Sequence, residues 1–330
     1  MFARNIIVIG ASSGGVEALQ ELVRGLPPDL PATVFIVLHT APHAPSFMPE
    51  ILSRAGPLPA LTPKDGERIQ QGRIYVAPPD HHLLIDDALM RVAHGPKENR
   101  HRPAVDPLFR SAACAYGPRV VGVVLTGNLD DGTAGLLAVK KCGGLAIVQH
   151  PQEASFPGMP GSAMKHVRVD YCLPLAEIAP LLERLARDPA EEEKMPMTNE
   201  IEIENKIAQG EINIAESVEK LGTPSAFTCP ECHSVMYRLK DMELIRFRCQ
   251  MGHAFSTESL HVGQTEAVED RLWDALRALE ENTALTKQLA ALEREQHRCG
   301  AAALFEEAAR RREQQASVIQ QMLLKNEKPA

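Results

Sequence analysis

Residues 5–24 read NIIVIGASSGGVEALQELVR, and this stretch sets the class of the fold. NIIVIG is short, branched and apolar throughout, the pattern of a parallel strand buried on both faces. Gly14 and Gly15 end it, and Val16, Leu19, Leu22, Val23 and Leu26 then recur at helical spacing. Strand, glycine-rich turn and helix in succession predict the first βα unit of an α/β domain. The same alternation continues on the C-terminal side. ATVFIVLH (32–39), RVVGVVLTG (119–127) and GLAIVQH (144–150) read as strands. VDPLFRSAACAYG (105–117), GTAGLLAVKKCG (132–143) and LAEIAPLLERLA (175–186) read as helices. RIYVAP (73–78) and HHLLID (81–86) read as shorter strands forming a local hairpin. Alternation of this kind predicts a doubly wound, Rossmann-like parallel sheet, with reactive loops at the carboxyl ends of its strands.

The composition of the 330 residues is that of a globular protein, 44% hydrophobic and 24% charged. No apolar run reaches the ~18 residues of a membrane span, and the N-terminus carries no secretory cleavage pattern. A cytoplasmic location is expected. Seven cysteines, an odd number, then read as buried thiols or metal ligands and not as a disulfide framework. The net charge of −8 argues against nucleic-acid binding. Residues 1–187 hold 18 Lys/Arg and 17 Asp/Glu, whereas residues 188–330 hold 17 and 26, so the acidity lies at the back. Four segments follow: an α/β domain over 1–187, expected to fold alone; an acidic linker over 188–226; a cysteine module over 227–256; and a helical hairpin or coiled-coil tail over 257–330. In the tail, Leu272, Leu276 and Leu279 are expected to form a seam continued by Leu285, Leu289 and Leu292, with Trp273 packed in it. Cys299-Gly300 marks a break.

The chemistry candidates stand at strand ends. The first strand leads into Ser12-Ser13-Gly14-Gly15, the second ends in His39, and RVVGVVLTG leads into Asn128-Leu129-Asp130-Asp131-Gly132. A serine needs a histidine to take its proton, and the histidine needs a carboxylate to fix its tautomer. Three such groups past the carboxyl ends of parallel strands can converge in one cleft. The competing readings are a phosphate-binding turn and a plain helix cap at Ser12. The turn lacks both the GxGxxG spacing and a Gly-Lys-Ser/Thr ending.

IGASSGG, VLHTAPH, DGERIQQGRIYVAPPDHH, NRHRPAVDPLF, VVLTGNLDDGTAG and PGMPGSA occur in this order over about 180 residues. On these motifs the front of the chain resembles the catalytic domain of the chemotaxis-receptor glutamate methylesterases, the CheB type. The resemblance implies hydrolysis of protein-glutamate methyl esters, with glutamine deamidation as a companion activity and no cofactor for catalysis. It places the nucleophile on Ser12, the base on His39 and the orienting acid on Asp131, with Asp130 the weaker choice. It also implies an oxyanion or substrate site at Ser13 and Gly14. Arg100 and Arg102 are expected to hold the receptor helix or orient the product, or else to pin their loop to the sheet. His81, His82 and His101 are expected to be structural. One departure stands out: the family pattern Thr-Gly-Met-Gly-x-Asp-Gly has Asn128 and Leu129 at its methionine and second glycine. The first strand begins near residue 5, so no receiver domain is expected ahead of it.

Cys229-Pro-Glu-Cys232 and Cys249-Gln-Met-Gly-His253 form two knuckles around a hairpin-like stretch. That spacing suits a tetrahedral Cys₃His zinc site in a zinc-ribbon-like fold, structural because four protein ligands leave no open position. His233 and His261 are alternative nitrogen ligands. The expected partners are the cytoplasmic helices of methyl-accepting chemoreceptors, and a second copy or a regulatory protein on the C-terminal helices. The rival to an esterase is a docking module that keeps the fold and turns over slowly.

Overall fold

The computed structural model describes residues 2–43, 45–190, 199–210, 213–240 and 243–326. Strand β1 (Ile6–Ala11) is buried along its whole length and leads through the glycine turn into α1 (Gly15–Arg24). The chain continues through β2 (Thr33–Leu38), α2 (Met48–Ala55), β3 (Ala60–Leu61), β4 (Ile74–Val76), β5 (His82–Asp86) and β6 (Leu89–Ala93). Then come α3 (Val105–Tyr116), β7 (Val120–Val124), α4 (Thr133–Lys141), β8 (Leu145–Gln149), α5 (Gly158–His166), β9 (Tyr171–Leu173) and α6 (Leu175–Arg187). Seven strands form one parallel sheet in the order β9-β8-β7-β1-β2-β4-β3. Ile7 and Ile9 face α1, α2 and α6 through Leu19, Leu22, Leu52 and Leu182. Ile6 and Val8 face the opposite core, with Phe109, Leu136 and Met159. Both faces are covered, which is why the strands read as unbroken apolar runs. The chain winds away from β1 in both directions, so the crevice opens at the ends of β1, β2 and β7.

Two short strands pair differently from the expectation. Ile74–Val76 joins the main sheet beside β2, and His82–Asp86 pairs with Leu89–Ala93. RIYVAP and HHLLID are therefore not partners of each other.

Residues 188–226, read as a linker, contain α7 (Asn199–Gln209) and α8 (Ile214–Leu221). The acidic run at 191–198 lies outside the described residues. Ile201 of α7 enters the core beside α3, and Gly95 lies so close to α7 that a Cβ there would meet the Ala208 carbonyl at 2.0 Å. A meander of β10 (Gly222–Thr228), β11 (Val235–Leu239), β12 (Arg246–Cys249) and β13 (Ala254–Ser256) follows, antiparallel throughout. This module rests on the α/β domain and is not isolated from it. Arg248, fully buried, donates from Nη2 to Glu98 (2.9 Å) and Glu204 (2.8 Å). Arg110 forks onto Glu98, and Arg246 forks onto Glu204. Burial alone would raise both carboxyls, but the guanidiniums around them hold them below the usual carboxylate range. Residues 1–260 form one compact unit.

Residues 261–330 form a second unit. Helix α9 (Thr257–Glu295) reaches into it and α10 (Cys299–Asn326) follows. Lys287 pairs with Glu313 and Arg294 with Glu306, so the two helices run antiparallel. The seam is built from Leu276, Thr283, Thr286 and Ala290 against Ala302, Ala309 and Leu323. Leu285, Leu289 and Leu292 point outward, and Trp273 is 45% exposed, contrary to the expected seam. A heptad of small residues lets the helices approach closely and turns the leucines away. No helix among the described residues is long and apolar enough to cross a membrane.

Candidate active site

Ser12, His39 and Asp131 come together at the carboxyl end of the sheet. Ser12 follows β1, His39 follows β2, and Asp131 ends the loop after β7. His39 Nδ1 lies 3.1 Å from Ser12 Oγ, and its Nε2 lies 2.7 Å from Asp131 Oδ2. An ionised carboxylate only accepts, so Nε2 carries the proton and Nδ1 offers its lone pair to the serine hydroxyl. Burial would push the Asp131 carboxyl up. The bond and charge of His39 and the donors Val105 N–H (2.7 Å) and Asn99 Nδ2 (3.0 Å) instead hold it well below the usual carboxylate range. Its Oδ1 also accepts from Gly132 N–H (3.0 Å).

Asp130 does not join the chain. Its Oδ1 accepts from Ser256 Oγ at 2.8 Å, and burial pushes its pKa up to about 6. His101 stacks on the His39 ring, with centroids 3.7 Å apart. Burial, helped by His39, pushes the His101 pKa down to about 4, so a neutral ring lies against His39 at neutral pH. His82 is fully buried, donating from Nε2 to Pro96 O and accepting at Nδ1 from Ala104 N–H. It holds the 96–104 loop.

The turn that carries Ser12 is tied from several sides. Gly14 caps α1 with a φ of 72°, a conformation in which a Cβ would be strained. Ser12 N–H donates to Thr126 O, and Thr126 Oγ1 donates to Ser13 O. The Asn128 amide, which departs from the family pattern, donates to Ser13 Oγ at 3.1 Å. Leu129 takes a φ of 58°, the left-handed conformation that the pattern's glycine adopts readily. Arg102 is spent inside the fold. It forks onto Asp80 (2.9 and 2.7 Å) and donates to Gly95 O, bonds that pin its loop. Arg100, half-buried, follows Asn99, and both have positive φ.

Two residues at the site had no sequence signal of their own. Asn99 and Asp106 sit behind the acid, with Asn99 Nδ2 donating to Asp106 Oδ2 (2.9 Å) as well as to Asp131. Burial and the neighbouring Asp131 charge raise the Asp106 carboxyl well above its usual range. Both residues fall in NRHRPAVDPLF, where only the arginines and His101 attract attention as candidates.

Cys229, Cys232, Cys249 and His253 converge in the module, their ligand atoms all within 4.8 Å of one another. Cys232 and Cys249 sulfurs are 3.6 Å apart, and His253 Nδ1 lies 3.7 and 3.6 Å from the Cys229 and Cys249 sulfurs. These are close to the edges, ~3.8 Å, of a tetrahedron with metal–sulfur bonds of ~2.3 Å. The residues therefore fit a tetrahedral ion. Among the described residues the cluster includes neither His233 nor His261.

Comparison with known proteins adds the family. A Methanosarcina mazei relative, protein-glutamate methylesterase/protein-glutamine glutaminase 2, is 35% identical over 192 residues, 56% of this chain and 52% of its own length. An Anaeromyxobacter dehalogenans relative of the same name is 37% identical over 182 residues, 55% of this chain and 53% of its own. The chain thus spans about half the length of these two relatives. A Leptospira interrogans relative is 37% identical over 187 residues and is covered over 97% of its length. The crystal structure of the Thermotoga maritima CheB methylesterase catalytic domain matches with a TM-score of 0.54 and 33% identity, covering 55% of this chain and 98% of that one. The family model described as CheB methylesterase matches residues 7–182, more than half of the chain, and the chain belongs to that family.

Proposed function

We propose that the protein is a serine esterase that removes methyl groups from glutamate side chains of chemoreceptors, with Ser12 as nucleophile, His39 as base and Asp131 as orienting acid. The observation that carries this reading is the unbroken Ser12–His39–Asp131 hydrogen-bond chain. His39 Nδ1 takes the Ser12 proton as Oγ attacks the ester carbonyl, and Asp131 stabilises the imidazolium. The N–H groups of Ser13 and Gly14, where α1 begins, are the donors for the oxyanion. His39 then protonates the leaving methanol. Water, deprotonated by His39, attacks the acyl-enzyme, which releases glutamate and restores Ser12. A glutamine amide enters the same sequence with ammonia as the leaving group. Neutral His101 stacked on His39 places no second positive charge beside the imidazolium as it forms.

The Cys₃His cluster would hold a zinc ion with Cys229, Cys232, Cys249 and His253. Four protein ligands leave no open position, so the ion would secure the fold of the module and supply no catalytic chemistry. The outward leucines of α9 suit packing against a partner helix.

Methanol release from a methylated receptor, with Ser12→Ala as control, tests the esterase reading. Release abolished in the control supports it. A folded wild-type protein that binds the receptor and releases nothing would leave the docking module as the function. Metal analysis is expected to find about one zinc per chain, and metal-free protein with four reduced, accessible ligands would end the zinc reading.

A further inference from the structure

Asn99 lies between the C-terminal module and the catalytic acid. Its Nδ2 group donates to Asp131 Oδ1 (3.0 Å) and Asp106 Oδ2 (2.9 Å). Its Oδ1 accepts from Ser256 N–H (3.0 Å) and Ser259 Oγ (3.1 Å). These bonds use both amide protons and both lone pairs of the oxygen. A reversed amide would set its oxygen against the Asp131 carboxylate and its NH₂ against the Ser256 N–H. The two serines therefore dictate which end of Asn99 meets Asp131.

The backbone is held by the same strand. Asn99 N–H donates to Ala254 O (2.8 Å), and Ala254 N–H donates to Lys97 O (3.1 Å). Asn99 and Arg100 have φ of 48° and 72°, conformations that cost about 1 kcal/mol or more for residues other than glycine. Pairing with β13 holds this strained pair in place. Ser256 Oγ also bonds Asp130, so the loop that carries Asp131 is fixed from a second side. Ser256 and Ser259 are buried, at 4% and 0% exposure, and both lie beyond the residues matched by the family.

We propose that Ser256 and Ser259 are positioning residues of the esterase site: they act through Asn99 to hold the Asp131 carboxylate against His39. This rests on the esterase reading of Ser12, His39 and Asp131. A shift of a fraction of an ångström in a supporting group is enough to slow a reaction that depends on the alignment of three side chains. The charged or titratable groups around Asp131 are His39, His82, His101, Asp106 and Asp130, and Asn99 is a neutral donor among them. Without its bond the Asp131 carboxylate is more basic and less fixed.

The test uses the full chain with Asn99→Ala and Ser259→Ala. Three readouts are taken: kcat and KM for methanol release, the acid limb of the pH profile, and the His39 Nε2–H resonance without substrate. The expected result is a fall in kcat of ~10–100-fold for Asn99→Ala and ~3–10-fold for Ser259→Ala, with KM nearly unchanged. The acid limb should move to higher pH and the imidazole proton should shift. A merely structural role would lower thermal stability and leave the limb and the resonance where they are. Folded variants with wild-type kcat, limb and resonance overturn the proposal. If Asn99→Ala does not fold, Ser259→Ala decides on the same criteria, since it keeps the Ser256 N–H bond to Asn99. If the wild type releases no methanol but its imidazole resonance responds to both substitutions, the esterase reading falls and the positioning role stands.

Discussion

Two adjacent carboxylates, Asp130 and Asp131, meet different surroundings and are displaced in opposite directions. Asp131, held low, stays ionised across the physiological range and adds stability that is lost only as pH falls below the usual carboxylate range. Asp130, with a folded pKa of about 6 against 3.8, keeps a proton that the unfolded chain has released. Stability from this group therefore falls as pH rises from about 4 to 6 and stays lower above that. Asp130→Asn cannot ionise, so it should raise Tm above pH 7 by roughly 3–6 °C and flatten that window in a pH series of thermal melts. Its kcat should change little. Ser12→Ala and His39→Ala should each lose ~10⁴–10⁶ in kcat, and Asp131→Asn ~10³–10⁴, in the methanol-release assay. Comparable losses at both aspartates would show that the loop is misassigned.

Glu98, Arg110, Glu204, Arg246 and Arg248 join a loop, a core helix, a helix from the supposed linker and a strand of the module into one buried ionic network. Arg248→Ala would remove one hydrogen bond from Glu98 and one from Glu204. Loss of ~3–5 kcal/mol in a denaturant titration is expected, the usual cost of stripping a buried ion pair of one member. The parallel strands and their helices were legible in the sequence because burial on both sheet faces leaves continuous apolar runs. The triad was legible as candidates because strand ends carry the reactive loops. The network and Asn99 were not. Glu98 and Arg248 are 150 positions apart and Asn99 and Ser259 160, and Arg248 meets Glu204 across 44, distances at which no local pattern announces a pairing. The acidic composition of residues 188–226 misled for a related reason: Glu204 reads as a solvated charge, yet three arginines drawn from distant parts of the chain surround it.

Division of the chain follows packing and not charge. A chain cut after residue 187 would expose the Glu98–Arg110 pair and the Ile201 site, and would leave Asn99 without Ser256 and Ser259. It should be less stable and at least ~10-fold slower in kcat, whereas residues 1–260 should keep kcat within about twofold. Equal rates for the two truncated chains would return the module to the status of a bystander. Cys229→Ser or His253→Ala should reach the active site as well, because His253 directly precedes β13. The outward-facing Trp273 bears on how all of this is measured. It is the chain's single tryptophan, and it lies in the second unit, half-exposed and far along the sequence from Ser12, His39 and Asp131. Tryptophan emission therefore reports on the helical hairpin. A fluorescence melt follows that hairpin, so circular dichroism and the methanol-release assay have to be followed beside it to report on the sheet and the candidate site.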